Sequence, residues 1–409
     1  MNLHDYSGHP FQAQLSRYLA GHGHEVVHTY CAQYVTGHGR LTRAAGDPRG
    51  LEFEGLRAGV DLVKYSPWRR ARFELGYARS WQRFLAARGP FDLVVACNVP
   101  LLSLDRMRAH FGRTGQRWAL WHQDIYSMGM AAEVRRILPR PLAGLARRVL
   151  ERAEAMQVAS ADAVVAIEQA FAAKYREWGL DVAPYVEPNW APLEDITPRP
   201  RDNGWARTHG LPTAPVRLLY AGTLGRKHNP ALLLGVLDRC RERGADAHLT
   251  VVSEGVGADD LRGLAAGRPD VRILGYQPAS QFPDVLGSAD VVLTLLEPDA
   301  ARYSVPSKVL SYLCAGRTVV GLMPVGNPAA ADVLAAGGHV CAPTGYGAAE
   351  AGDWIAAHAA VPRAFADRGR RARRLAEERF AIEAIGRRFE QVFAAAAGYG
   401  SPAPAAAAG

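Results

Sequence analysis

Two α/β domains, each a parallel sheet covered by helices on both faces, are the fold class this sequence predicts. Short apolar runs alternate with helical patterns through both halves, and the alternation is interrupted by a proline-rich stretch with mixed charge at 188–215. A chain of 409 residues at 48% hydrophobic is also long enough for two ordinary cores.

In the first half the expected strands are residues 25–28, 62–65, 91–96, 118–121 and 163–167, each followed by a helical pattern. A buried opening strand should have about five or six residues. Only Asn2, Leu3 and His4 precede the polar turn at 5–8, so either this strand is short or the true start lies upstream of Met1. The second half restarts at Val216, with strands at 216–221, 249–253, 271–274, 291–295, 318–322 and 339–341. Residues 394–409 are dominated by Ala, Gly and Pro without an apolar face and are expected to be disordered.

Composition narrows the class. There is no run of 18 apolar residues and no signal-peptide pattern at the start, so a cytoplasmic protein is expected. Five cysteines, at 31, 97, 240, 314 and 341, form no C-x-x-C pair and read as reduced core residues. The net charge of +8 comes without a nucleic-acid module or a concentrated basic tract, so nucleic acid is not an expected partner.

Two loops carry the chemistry. In Tyr303-Ser-Val-Pro-Ser-Lys-Val-Leu, Pro306 and Ser307 read as a helix opening, where unpaired N–H groups and the Lys308 ammonium make an anion site. After the strand at 216–221 comes Gly222-Thr223-Leu224-Gly225-Arg226-Lys227, with glycines for close backbone approach and charge beside a second helix start. The chain has only four lysines, and two of them, Lys227 and Lys308, fall on these loops. A compact ammonium aimed at phosphate accounts for that, and an ordinary capped helix is the bland alternative.

Together with Ser253-Glu254-Gly255-Val-Gly257, Leu274-Gly-Tyr276-Gln277-Pro278 and Val305-Pro-Ser-Lys, these motifs occur in an order that resembles glycosyltransferase family 4, nearest its colanic-acid and capsule-type members. The first half agrees through His4-Asp-Tyr-Ser-Gly-His-Pro, Gly23-His-Glu-Val-Val27, Trp121-His-Gln-Asp-Ile-Tyr126 and Glu187-Pro-Asn-Trp-Ala-Pro192. The resemblance implies the GT-B fold, two Rossmann-like domains facing across a cleft. An acceptor-side domain is expected at 1–188, a nucleotide-sugar domain at 189–378 and a helix returning to the first domain at 379–393. It implies a retaining hexosyltransferase that moves a sugar from a nucleotide-diphosphate donor, expected to be UDP-linked, to a glycan or lipid-linked glycan in cell-surface polysaccharide synthesis.

That chemistry needs stabilisation of the departing diphosphate. Arg226, Lys227, Lys308 and the helix start at Ser307 would supply it without a metal or cofactor, and no D-x-D sequence is present. The base is expected against the Tyr276–Gln277 backbone, beyond the Ser253-Glu254-Gly255 turn, for which a plain tight turn is the alternative. Many family members carry a Glu-x7-Glu pair; here those positions are Tyr303 and Ser311. The sugar and ribose contacts are therefore carried to Ser304, Val305, Ser307, Lys308 and Tyr312. In the first domain Asp124 is the candidate to orient the acceptor or stabilise positive charge at the anomeric carbon. Gln123 stands where the family has His, and His122, one residue earlier, is either catalytic or a structural core histidine. Gly8 and His9 match the family's first loop and would meet the diphosphate or the acceptor.

Residues 64–89 set Phe73, Tyr77, Trp81 and Phe84 on one helical stripe among several arginines. That is either a peripheral contact with the inner face of the cytoplasmic membrane or a core face with a solvated basic side. A UDP-sugar epimerase-like enzyme and a non-catalytic nucleotide-sugar binder are the rival classes.

Overall fold

The structure, a computed structural model, describes residues 1–34, 39–61, 67–213, 216–225, 228–297, 308–361 and 363–400. The chain divides into two compact units, Met1–Asn189 with the segment from Ile382 onward, and Trp190–Ala381.

The first unit runs β1 (Asn2–Asp5), α1 (Pro10–Gly21), β2 (Val26–Cys31), β3 (Leu51–Leu56), α2 (Pro67–Arg88), β4 (Val94–Cys97), α3 (Leu101–Thr114), β5 (Trp118–His122), α4 (Tyr126–Ile137), α5 (Arg140–Ser160), β6 (Ala163–Ala166), α6 (Ala170–Glu177) and β7 (Tyr185–Val186). Its strands are parallel in the order β3-β2-β1-β4-β5-β6-β7. The second unit runs α7 (Gly204–Thr208), β8 (Val216–Ala221), α8 (Ala231–Glu242), β9 (Ala247–Val252), α9 (Val256–Leu264), β10 (Val271–Leu274), α10 (Phe282–Gly287), β11 (Val291–Leu295), α11 (Lys308–Cys314), β12 (Thr318–Leu322), α12 (Pro328–Ala335), β13 (His339–Cys341), α13 (Gly345–Ala359) and α14 (Ala364–Arg379). Its strands, also parallel, follow the order β10-β9-β8-β11-β12-β13. The last helix, α15 (Ile382–Ala397), belongs to the first unit.

The opening strand is indeed short, and Asp5 belongs to it rather than to the following turn. It nevertheless sits between β2 and β4, with Asn2, His4 and Asp5 wholly buried. Buried polar groups must be paired, and these are. Asn2 receives the Trp81 indole N–H at 3.1 Å and donates to Thr29 Oγ1 at 3.0 Å, while His4 Nδ1 lies 2.8 Å from the same hydroxyl and its ring stacks on Trp81 at 3.7 Å.

That packing decides the role of the α2 stripe. Phe73, Tyr77 and Trp81 are fully buried and Phe84 nearly so, so the stripe is core and the expected membrane contact through it is corrected. The expected strand at 62–65 lies outside the described residues. The strand at Leu51–Leu56 was not foreseen; its two leucines are buried, but Glu52, Glu54 and Gly55 between them give no strand signature, as suits an edge strand blunted by charge. Residues 394–397, expected to be disordered, continue α15, since Ala favours helix and Ala396 is buried. All five cysteines are buried and free.

In the second unit the wholly buried Arg217 ties the chain at 201–212 to β8. Its guanidinium donates to the carbonyls of Pro212 (2.7 Å), Arg201 (2.9 Å) and Ser288 (3.2 Å) and to Asp202 Oδ1 (2.6 Å). Arg217→Met strips partners from several carbonyls at once. Urea unfolding should show the second unit losing about 3 kcal/mol; an unchanged midpoint would mean that these bonds add no net stability.

Candidate functional site

In the second sheet the strand order reverses between β8 and β11, where an open parallel sheet forms a crevice at its carboxyl ends. The predicted loops meet there. Gly222 follows β8 at φ +140°, and a Cβ on it would stand 3.4 Å from both Cε and Nζ of Lys308. Glycine takes this φ without strain, and the spacing to Lys308 is ordinary contact. Leu224 N–H donates to the buried Ser253 Oγ at 3.0 Å, and the Thr223 and Tyr276 hydroxyls are 2.6 Å apart. Gly255, at φ +107°, precedes α9, and a Cβ on it would meet the Leu224 carbonyl oxygen at 3.0 Å. Glu254 accepts from Tyr276 N–H at 3.2 Å. Gly225 N–H donates to His228 Nδ1 at 3.1 Å.

Lys308, the first residue of α11, carries the charge of this site. Its ammonium donates to Tyr220 Oη at 2.6 Å and lies 4.4 Å above the Tyr220 ring. Among the described residues no carboxylate forms an ion pair with it, and desolvation pushes its pKa down to about 8. Tyr312, one turn on, is fully buried; its hydroxyl accepts from Ala221 N–H at 3.1 Å and donates to Ala221 O at 2.8 Å, locking α11 to the end of β8. A half-buried cation with only a phenol beside it is short of an anion.

Two details bear on the expected backbone contact of the base. Gln277 is committed to the protein, accepting from Trp205 Nε1 at 3.1 Å and donating to Gly275 O at 3.0 Å. The Tyr276 N–H is taken by Glu254, and the Tyr276 side chain is half-exposed. Arg226, Lys227, Ser304, Val305, Pro306, Ser307 and the Glu-pair position Tyr303 lie outside the described residues.

The first sheet reverses between β1 and β4. There Asp5 accepts from Ser7 N–H (3.2 Å), Ser7 Oγ (3.1 Å), His9 N–H (2.7 Å) and Asn98 Nδ2 (3.0 Å), which shapes the loop of Gly8 and His9. Burial raises the Asp5 carboxyl against these bonds. Gly8 is buried at φ +70° and His9 is exposed at the start of α1. Asn98 holds φ +54°, a costly conformation outside glycine, and its carbonyl accepts from Tyr126 Oη at 2.9 Å. Burial, with Asp124 and Cys97 nearby, raises the Tyr126 phenol well above its ordinary value.

Asp124 is exposed after β5, whereas His122 is buried with both ring nitrogens engaged, Nδ1 by Tyr175 Oη at 2.6 Å and Nε2 by Glu154 at 3.2 Å. Glu154 also accepts from Tyr126 N–H (2.8 Å) and Ser127 N–H (2.9 Å) at the start of α4. Burial opposes its charge, but the bonds from His122 and Ser127 outweigh that and hold the carboxyl below its usual range. This geometry places His122 between Tyr175 and the Glu154 carboxylate that holds the α4 start. Gln123 pairs reciprocally with Asn189, at 2.9 and 3.0 Å.

Sequence reasoning missed Asp5, Asn98, Tyr126 and Glu154. A buried acid at a strand end was the available signal for Asp5; Glu154 had none, being one acid in a charged helix. A separate group, His339, Cys341 and Glu350 on β13 and α13, brings three potential metal-ligand atoms within 4.8 Å of one another, on the edge strand two strands from β11.

Residues 215–367 match the family model described as "Glycosyl transferases group 1". Solved structures of the same fold include sucrose-phosphate synthase from Thermosynechococcus elongatus (TM-score 0.71, 16% identity, 96% of this chain and 97% of that one). HepE from Anabaena, solved with UDP and glucose, gives TM-score 0.68 at 14% identity over 96% and 99% of the two chains. WaaG, a glycosyltransferase involved in lipopolysaccharide biosynthesis, gives 0.65 at 15% identity over 96% and 99%. No curated protein matches by sequence. The chain therefore has the GT-B fold, with a group 1 glycosyl transferase domain at residues 215–367.

The Lys308 site has a pH signature. Its ammonium loses the proton as pH rises through about 8. Affinity for a nucleoside diphosphate should fall roughly tenfold between pH 7 and 9 if only the charged form binds. Titration calorimetry checks this; a wild-type profile as flat as that of Lys308→Ala would contradict the contact.

Proposed function

We propose that this chain is a glycosyltransferase that transfers a sugar, with its anomeric configuration retained, from a UDP-linked donor to a glycan or lipid-linked glycan in cell-surface polysaccharide synthesis in the cytoplasm. The observation that carries the reading is the Lys308 ammonium, held over Tyr220 beside Gly222 with no protein carboxylate among its described partners. The group 1 domain over 215–367 and the UDP bound by the similarly folded HepE support it.

In the transfer, the bond from the anomeric carbon to the diphosphate oxygen breaks and its electron pair leaves with the diphosphate. A new bond forms to the acceptor hydroxyl oxygen, whose proton passes to the departing diphosphate oxygen. Negative charge grows on the leaving group, and a pre-placed ammonium in a poorly solvated site stabilises it more than water would. Thr223 and Tyr276, joined through their hydroxyls, would frame the nucleoside. Asp124, exposed after β5, would orient the acceptor or offset positive charge on the sugar. No step calls on a metal.

The test is thermal unfolding against UDP-, GDP-, TDP- and CMP-sugars, followed by transfer assays with the stabilising donor. A saturable rise with UDP-sugars, lost in Lys308→Ala, and turnover that is acceptor-dependent and unchanged by chelator are the expected results. Stabilisation without turnover would leave a nucleotide-sugar binder, and sugar conversion without acceptor would indicate an epimerase. Turnover lost in chelator and restored by magnesium would overturn the metal-free mechanism.

A further inference from the structure

On α5, Leu142, Leu145, Val149 and Met156 are 53%, 60%, 61% and 38% exposed, and Leu138, just before the helix, is 39% exposed. Their spacings of three, four and seven set the four helical residues within about 60° of one another around the axis. Large aliphatic side chains left this exposed along a single stripe mark an interaction surface.

The charges around the stripe are one-sided. Arg148 and Arg152 are exposed on its flank, whereas the two acids of the helix are both engaged. Glu151 pairs with Arg147 at 3.3 Å and Lys174 at 3.5 Å, and Glu154 is buried in the bonds to α4. A groove of about 300 Å³ beside the stripe is lined by Arg148, Glu151, Arg152, Met156 and Trp178 among others. No helix among the described residues is long and apolar enough to cross a membrane.

We infer that the α5 face docks on an anionic lipid surface, the aliphatic stripe entering the headgroup boundary and the arginines meeting lipid phosphates. Aliphatic side chains with no hydrogen-bonding groups, flanked by arginine, suit lipid acyl chains below an anionic headgroup layer. The inference does not depend on the glycosyl-transfer reading. It replaces α2 as the membrane face, because the α2 aromatic side chains are core.

Flotation of the full-length protein with vesicles tests it. Binding is expected to phosphatidylcholine vesicles containing phosphatidylglycerol, and at least about tenfold less to pure phosphatidylcholine or at high salt. The double change Leu145→Ser, Val149→Ser should weaken binding to the anionic vesicles at least about tenfold with an unchanged melting temperature. Arg148→Gln with Arg152→Gln should weaken it too and flatten the salt dependence. No vesicle binding by the wild type would overturn the proposal, as would equal binding by the serine variant. So would a wild-type dimer that the serine changes dissociate, which would assign the stripe to a second copy.

Discussion

A parallel sheet confines loop chemistry to the carboxyl ends of its strands, and the rest of this protein is organised around that constraint. Crossover helices occupy both faces, so a ligand can approach the sheet where strand order reverses. In each unit the reversal brings together residues far apart in sequence. In the second unit these come from β8, β9, β10 and the start of α11; in the first they are Asp5, Asn98 and Tyr126. The two sites differ in electrostatics. The second holds a cation that burial makes easy to discharge, while the first holds a carboxyl that burial makes harder to ionise.

The same constraint explains the polar first strand. A central parallel strand is normally apolar because both faces are covered. Here Asn2, His4 and Asp5 occupy one, and each is matched by Trp81, Thr29, Ser7 or Asn98. Such a network is tolerable only when its members are paired, so α2 must bring an indole N–H and not merely an apolar ring. The aromatic run of α2 therefore serves strand pairing as much as core volume.

Most of the fold was legible because apolar runs and glycines announce parallel strands and their turns. β3 was not, because Glu52, Glu54 and Gly55 read as loop, and Asp5 was taken for a turn because it is an acid whose nearest partners, Ser7 and His9, belong to the loop that follows. The second-unit residues were flagged by short local motifs of glycine, hydroxyl and lysine on separate segments, and the fold sets Thr223 beside Tyr276, Leu224 beside Ser253 and Tyr220 beside Lys308. The first-unit site was less legible. The His122–Glu154 pair joins residues 32 apart, and nothing in either segment signals the other.

Glu154 ties two ends of the first unit together. It sits on α5, across the helix from the aliphatic stripe, yet it holds the first amides of α4 and the imidazole at the end of β5. Hydrogen bonds of this kind fail within about an ångström of stretching. α5 and the start of α4 are therefore held in register at Glu154, one residue away from the Asn98 carbonyl beside Asp5, which the Tyr126 hydroxyl bonds.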